Sequence, residues 1–382
     1  MYQLAQTIEN ESAPSMVSEV SFHPSGAYFA ATYESLNEVR IYDSRTRRVL
    51  HVLCNPVSRL DGPHAVLFTE LFLLVSNGHS FKQPGTINVF RNGEFSKKPI
   101  QVFESPFSHL REPHSLAIRD GRLVAAYCEN LAPSGAIVAY KFDEETGTIG
   151  KVLDKTESWF SEYGDSKGVC FNADGTKVFV TFESDKALTL LDRIEMALDS
   201  VKGLSISKKM VALSNKVYKK CAKNKLIEKS AFSNNGSPSS ENFECAEERV
   251  IKKPAKNGIA VFSISADGKI SENPQEVILR RKYCSLENID MVEHRCVITD
   301  LVNSSFSIYD LTRDIQLRQP VQTVTLDDVA VHGAKFAPDG NLLIVSSLGK
   351  KVANQRVEWS TWTSPRQDKI FVFERASPPP LS

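Results

Sequence analysis

The stretch VSFHPSGAYFAATYES, residues 20–35, decides the fold, because its pattern occurs again further along the chain. It consists of a short apolar strand, a turn ending in glycine, and a second strand rich in β-branched and aromatic residues. The stretches VCFNADGTKVFVTFES (residues 169–184) and AKFAPDGNLLIVSSLG (residues 334–349) have the same order. HSLAIRDGRLVAAYCEN, from His114, has it with a turn one residue shorter. This internal repetition predicts a fold built from similar small sheets.

A third strand follows each of these units and usually ends in a hydrophobic residue and an acid. The clearest examples are VRIYD (39–43), IVAYKFD (137–143), LTLLD (188–192), FSIYD (306–310) and IFVFE (370–374). A fourth, more polar strand usually comes next. Four short strands recurring every ~45–55 residues are typical of an all-β propeller, in which neighbouring blades cover both faces of each sheet.

The blade count depends on one long interval. Weaker copies of the unit begin near His64 and Glu287, and equivalent positions in the first strands are separated by 46, 50, 53, 120 and 45 residues. The step of 120 contains two candidate third strands, LTLLD and IAVFSIS (259–265), so seven blades are predicted. Six blades with a long insertion are the alternative. The last third strand is followed by no fourth, and YQLAQTI (2–8) is predicted to close the propeller in its place.

These motifs resemble those of two known groups of proteins. The F-x-P-x-G turns and the [IV]-x-[IV]-[YF]-[DE] third strands are similar to those of WD40 and lactonase-like (YVTN-type) β-propellers over most of the chain. The Trp-Asp dipeptide of WD40 repeats is absent, because Tyr, Leu or Phe stands in place of Trp. The resemblance implies the fold. Its lactonase-like branch further implies hydrolase activity at one mouth of the axial channel.

Composition narrows the class of protein. The 382 residues are 41% hydrophobic and 24% charged, and the formal net charge is zero, as expected for a soluble globular protein without a nucleic-acid partner. No stretch has the roughly 20 apolar residues that span a membrane, and the first residues lack the pattern of a signal peptide. We therefore expect a cytoplasmic protein whose seven cysteines, none in a C-x-x-C pair, are mostly buried free thiols.

One region departs from the repeat. The whole chain, residues 1–382, is predicted to form the propeller, and residues 194–257 are predicted to be a diverged blade or an insertion within it. Residues 207–230 carry eight lysines and one glutamate, and a serine-rich loop follows. Two interpretations remain open: a basic arm for an anionic partner, or a solvated insertion without a binding role.

Candidate site residues come from comparing equivalent positions of the repeat. The inner strands place one column of residues at one mouth of the channel: Ser18, His64, His114, Lys167, Glu287 and His332. Counting eight residues on from a turn glycine adds second-strand glutamates: Glu34, Glu129 and Glu183. Because the first strand of a blade begins at the face where the second strand ends, the sequence predicts that both sets meet at that mouth.

The chemistry of this column allows three interpretations. The histidines tie blades together, they bind a small polar ligand, or they bind a divalent metal ion with the carboxylates in support.

Trp359 and Trp362 lie in a long connection of the last blade and have the composition of a protein interface. The predicted function is therefore a binding module for a protein partner or a small polar ligand. The alternative is a lactonase-like hydrolase, with a metal as its only candidate cofactor. Neither the presence of catalysis nor an oligomeric state is fixed by the sequence.

Overall fold

Six four-stranded antiparallel sheets account for nearly all regular structure in the described part of the chain. The computed structural model describes residues 1–9, 15–78, 85–128, 135–183, 257–280, 284–312, 317–327, 329–350 and 368–376. These residues belong to one compact unit. The prediction of a single all-β propeller with four-stranded blades is confirmed for them.

The strands of each blade follow one another along the chain. Blade 1 contains β2 (Val17–Phe22), β3 (Tyr28–Tyr33), β4 (Glu38–Asp43) and β5 (Val49–Cys54). Blade 2 contains β6 (Pro63–Phe68), β7 (Phe72–Asn77), β8 (Thr86–Arg91) and β9 (Gln101–Glu104). Blade 3 contains β10 (Glu112–Arg119), β11 (Arg122–Cys128), β12 (Ala136–Asp143) and β13 (Thr148–Thr156).

The second half of the propeller has the same order. Blade 4 contains β14 (Asp165–Phe171), β15 (Lys177–Glu183), β16 (Gly258–Ser263) and β17 (Glu276–Leu279). Blade 5 contains β18 (Ile289–Val292), β19 (Arg295–Asp300), β20 (Ser305–Asp310) and β21 (Gln322–Thr325). Blade 6 contains β22 (Val329–Phe336), β23 (Leu342–Lys350), β24 (Lys369–Arg375) and β1 (Tyr2–Glu9). A 3-10 helix (Glu34–Leu36) and the helix α1 (Ser158–Tyr163) complete the described elements.

The first strand of each blade lies next to the axis. Each of these strands contacts the first strands of both neighbouring blades, so β2, β6, β10, β14, β18 and β22 form a closed cycle. All six residues of β2 are buried, whereas five of six in the outer strand β5 are exposed. The apolar core is divided into six clusters, one between each pair of neighbouring sheets. Burial of both faces of every sheet is what stabilises the closed arrangement.

The turn glycine that marks the repeat has a conformational reason. Gly26, Gly175 and Gly340 have φ of 71°, 71° and 64°, in the left-handed region that residues with a Cβ rarely adopt. Each ends the tight connection between the first and second strands of its blade. A glycine at this position therefore identifies an inner hairpin, which is why the sequence pattern located the blades.

The prediction of seven blades is wrong for the described residues, which contain six. Strand β15 pairs directly with β16, with Lys177 opposite Ser263 and Phe182 opposite Gly258. The strand from Ile259 is therefore the third strand of blade 4, not part of an additional blade. The long interval arises because a connection of more than 70 residues joins the second and third strands of that blade. The other candidate third strand, residues 188–192, lies outside the described residues, as does most of the predicted 194–257 insertion.

Strand β1 is the outer strand of blade 6. It runs antiparallel to β24, with Tyr2 opposite Arg375 and Glu9 opposite Lys369. The hydroxyl of Tyr2 also donates a hydrogen bond to the carbonyl of Gly340 (2.6 Å). The two ends of the described chain therefore share one sheet.

Two further expectations concern helices and cysteines. Within the described residues, no helix has the length and apolar character to cross a bilayer. Of the five cysteines described, all are free thiols. Cys54 is exposed, and four are buried: Cys128, Cys170, Cys284 and Cys296. The expectation of mostly buried free thiols is confirmed for this part of the chain.

Candidate functional site

Six side chains from the first strands meet on the axis, one from each blade. We call this set the axial ring: Ser18, His64, His114, Lys167, Glu287 and His332. In five of the six blades, all but blade 5, this residue falls within an irregularity of the pairing between the first and second strands. Glu287 lies just before β18 begins. A β-bulge turns a side chain away from the regular alternation, so the bulges direct this column toward the axis.

The three histidines of the axial ring lie in mutual contact. The imidazole centroids of His64 and His114 are 4.1 Å apart, and those of His332 lie 5.0 Å from His64 and 5.5 Å from His114. One ring nitrogen from each lies within 4.8 Å of those of the other two. All three side chains are at most 4% exposed. The column predicted from the repeat therefore forms a single buried cluster.

Glu287 faces this cluster. Its Oε2 atom lies 3.5 Å from Nε2 of His114 and 3.7 Å from Nε2 of His332. The Lys167 ammonium lies 3.8 Å from the same oxygen. Four members of the axial ring, from four different blades, therefore meet at Oε2 of Glu287.

Hydrogen bonds between blades fix the protonation pattern of two imidazoles. Nδ1 of His64 lies 2.9 Å from the carbonyl oxygen of His114, and Nδ1 of His332 lies 2.8 Å from that of Ser18. A carbonyl only accepts, so Nδ1 must carry the proton in both rings. In the neutral imidazole, Nε2 then has a lone pair. Nε2 is therefore the acceptor nitrogen of each ring in its neutral form.

The charges in the ring follow from burial and from Lys167. Burial lowers the pKa of His332 to about 4, although the Glu287 carboxylate opposes that shift. His332 is consequently neutral at pH 7. Burial also resists ionisation of Glu287, but the Lys167 ammonium and the other groups around it outweigh that effect, so the pKa of Glu287 lies below its ordinary value. The ring contains a carboxylate and, at His332, a neutral imidazole.

The second-strand glutamates reach the axial ring through serine hydroxyls. Ser18 donates a hydrogen bond to Oε2 of Glu34 (2.7 Å). The hydroxyl of Ser285 lies 2.7 Å from Oε2 of Glu183 and 2.7 Å from Oε1 of Glu287. Glu34 and Glu183 therefore contact the axial ring through serine hydroxyls and are not members of it.

The next residue of each first strand forms a layer beneath the axial ring. Its members are Glu19, Ala65, Ser115, Gly168, Asn288 and Gly333. Glu19 is the only one with a long side chain. Its carboxyl accepts hydrogen bonds from the Asn288 amide (2.6 Å), the Ser115 hydroxyl and the Val66 N–H, groups of three other blades. The carboxyl must therefore lie at the centre of the propeller, where burial raises the pKa of Glu19.

Small residues in this layer are required by packing. A Cβ on Gly333 would lie 2.7 Å from the carbonyl oxygen of Ser18 and 2.6 Å from Oγ of Ser346. A Cβ on Gly168 would lie 2.7 Å from Cα of Asn288. These distances are shorter than van der Waals contact, so the close approach of neighbouring blades depends on glycine at both positions.

Several functional groups were not identified from the sequence. Glu19 and Asn288 follow members of the predicted column directly, and that adjacency was the available signal. Ser285 lies two residues before Glu287, outside any repeat position. A second group of ligand atoms, from Glu112, His114 and Cys128, also lies within 4.8 Å of one another. The predicted Glu129, Trp359 and Trp362 lie outside the described residues.

Comparison with known proteins identifies the architecture and no family. No protein-family model and no curated protein sequence matches the chain. Among solved structures, Kuenenia stuttgartiensis hydrazine synthase superposes with a TM-score of 0.52 at 12% identity, over 98% of this chain and 99% of that one. A luciferin-regenerating enzyme superposes with a TM-score of 0.53 at 10% identity, over 97% and 96%. At these identities the likeness supports the β-propeller fold alone.

Proposed function

We propose that this protein binds a small polar ligand on the propeller axis, through the axial ring. The observation that supports this most strongly is the convergence of His64, His114, His332 and Glu287 on one point. A purely structural histidine would use its hydrogen-bonding groups between blades. His64 and His332 each make such a bond through Nδ1, and Nε2 of His332 faces Glu287 instead.

The recessed position favours a small molecule over a protein partner. His64, His114, His332 and Glu287 are 3–6% exposed, so a flat protein surface would not reach them. A protein partner would have to use the rim of the mouth, where the predicted Trp359 and Trp362 lie outside the described residues. The binding of a protein at that rim remains a separate prediction.

The ring also defines the chemistry of the ligand. In the neutral imidazoles the Nε2 atoms of His64 and His332 accept hydrogen bonds, as does the carboxylate of Glu287. Groups of this kind stabilise a cation or a ligand rich in donors. The internal cation, Lys167, already lies on one side of Glu287. We therefore expect amines, amidines or cations to bind, and simple anions to bind poorly.

A library of small amines and amidines, screened by saturation-transfer NMR in the presence of a chelator, tests this proposal. Hits are expected with wild type, and their signals should disappear in His332→Ala and in Glu287→Gln. His109→Ala is the matched control, because His109 also contacts a glutamate, Glu157, but on an exposed surface. If no fragment binds, or if the hits are insensitive to both ring substitutions, the proposal fails.

Hydrolysis is a second candidate, favoured by the contacts of Ser285. Its hydroxyl lies 2.7 Å from both Glu287 and Glu183 but has one proton to donate, so one of the two contacts needs a proton on a carboxyl group. Such a chain couples the protonation of Glu287 to that of Glu183. In this mechanism Glu287 takes a proton from water, the water oxygen attacks the carbonyl carbon of a small ester or lactone, and Lys167 stabilises the oxyanion. The C–O bond then breaks, and Glu287 returns the proton to the leaving oxygen, giving an acid and an alcohol.

Hydrolysis of p-nitrophenyl acetate and of a panel of γ- and δ-lactones tests this candidate. Glu287→Gln should lower kcat/KM by ~100-fold or more, the usual range for loss of a general base. His109→Ala should leave it unchanged. An equal rate for Glu287→Gln and wild type would exclude the mechanism without affecting the binding proposal.

A further inference from the structure

We propose that the ligand of the axial ring is a divalent transition-metal ion, held by one ring nitrogen of each of His64, His114 and His332 and by Oε2 of Glu287. This inference deepens the proposed binding function and rests on the same ring. Unlike the amines and amidines considered above, a metal ion has no hydrogen-bond donors and binds the lone pairs of the ring directly.

First, the contacts of His332 and Glu287 favour a cation between them. Nδ1 of His332 donates to the Ser18 carbonyl (2.8 Å), so in the neutral imidazole Nε2 is the nitrogen with the lone pair. It nevertheless faces the carboxylate oxygen of Glu287 at 3.7 Å. Two acceptors opposed in a buried site repel each other. A cation placed between them converts that repulsion into two bonds.

The second argument is geometric. Zinc bonds to imidazole nitrogen at ~2.0–2.1 Å and to carboxylate oxygen at ~2.0–2.2 Å. Bonds of this length to atoms 3.5 and 3.7 Å apart imply N–metal–O angles of about 115° and 125°, near the tetrahedral value. The ligand nitrogens of the three histidines all lie within 4.8 Å of one another. With Oε2 of Glu287, the set offers four protein ligands.

The third argument is that the ligands are already oriented. Metal-binding histidines usually donate their second N–H to a carbonyl or carboxylate, which fixes the tautomer and the direction of the ring. His64 and His332 do so through the carbonyls of His114 and Ser18. The other side of Glu287 is held by Ser285, at 2.7 Å from Oε1. The two histidine contacts cross blade boundaries, so the closed propeller itself orients these two ligands.

The donor set indicates the class of metal. Three imidazoles and one carboxylate suit zinc, iron, cobalt, nickel or copper, whereas magnesium and calcium prefer oxygen ligands and six or more of them. Glu19 and Asn288 occupy the layer below. A further ligand, such as water or a substrate, would therefore have to approach from the mouth.

Lys167 is expected to weaken metal binding, in contrast to the four ligands. Its ammonium lies 3.8 Å from the Glu287 oxygen that would bind the ion, so the two cations repel each other. The Lys167 side chain is 16% exposed. Lys167→Met should therefore tighten metal binding, the opposite of the effect of any ligand substitution.

Calorimetric titration of chelator-treated protein with Zn²⁺, and visible spectra with Co²⁺, test the site. One Zn²⁺ per chain is expected, and Co²⁺ should give the intense bands of tetrahedral coordination. His64→Ala, His114→Ala, His332→Ala and Glu287→Gln should each weaken binding by ~100-fold or more, since loss of a supporting contact alone costs ~10–100-fold. His23→Ala and His109→Ala, outside the ring, should have no effect.

The controls separate folding from binding. Each variant is first checked for a cooperative melt. A histidine that cannot be replaced with alanine without loss of folding is replaced with glutamine instead. Lys167→Met is expected to bind the ion more tightly than wild type. A damaged fold would weaken binding, so it cannot account for that result. The proposal is overturned if wild type binds neither ion, or if the ring substitutions leave affinity unchanged. Amine fragments that still depend on the ring in chelator would show that the binding function stands without the metal.

Discussion

Acidification of the metal-free protein should destabilise it through His332. This imidazole has a folded-state pKa of about 4, because it is buried and its uncharged form is favoured. In the unfolded chain it titrates near 6.5. Between these values the unfolded state binds a proton that the folded state does not, so the free energy of unfolding falls as the pH falls from 6.5 toward 4. The contribution is fully present above pH 6.5.

The expected size follows from the difference between the two pKa values. Each unit corresponds to ~1.4 kcal/mol, so His332 accounts for a loss of about 3 kcal/mol between neutral pH and pH 4. Other groups titrate in the same window. The lowered pKa of Glu287 adds a loss of the same sign, and the raised pKa of Glu19 acts in the opposite sense. A comparison with a variant is therefore needed to isolate His332.

The assay is urea unfolding of wild type and His332→Asn at intervals from pH 7.5 to 4.5, with a chelator present. Asparagine retains a donor for the Ser18 carbonyl but does not titrate. The variant is expected to be less stable at pH 7 and to lose less stability on acidification, so that the two curves converge. Parallel curves would refute the argument, as would an NMR titration placing the pKa of His332 near 6.5.

Three further predictions concern the fold. Deletion of residues 1–9 removes the outer strand of blade 6 and exposes the edge of β24, so the whole propeller should melt at a lower temperature; an unchanged cooperative melt would show that β1 is dispensable. Gly333→Ala places a Cβ 2.6 Å from Ser346 Oγ and should lower the free energy of unfolding, measured with urea, by roughly 1–3 kcal/mol. Gly150→Ala, whose Cβ would lie 3.6 Å from its nearest neighbour, should change it little. Limited trypsin digestion should cut first between residues 208 and 256, and first cuts elsewhere would contradict the assignment of that region as a dispensable insertion.

The sequence predicts the propeller because its signals are local. A turn glycine with positive φ, an apolar first strand and an acid after the third strand each act within one blade, so they recur in several copies. The blade count is not local. It depends on whether the strand at Ile259 pairs with Lys177–Glu183 or begins another sheet. Residues 184–257 separate the two strands, so no local pattern in the sequence shows that they pair.

The candidate site was predictable to the same extent. Equivalent positions of a repeat lie at equivalent places around the axis, so His64, His114 and His332 were expected to share a mouth. The proton positions were not predictable, because they depend on which neighbouring carbonyl each Nδ1 meets. The role of Ser285 was missed for a similar reason: it joins Glu183 and Glu287, which lie 104 residues apart in the sequence and meet only after the blades close.

The most direct test of the account is the protonation state of the ring histidines. Nitrogen-15 NMR of imidazole-labelled, metal-free protein at pH 7 distinguishes the two neutral tautomers from the imidazolium form. The account predicts that His332 is neutral with its proton on Nδ1, that Nδ1 of His64 also carries a proton, and that addition of Zn²⁺ shifts the Nε2 resonances of both rings while leaving those of His109 in place. A proton on Nε2 of His332 would contradict the account, because the lone pair that faces Glu287 would then be absent.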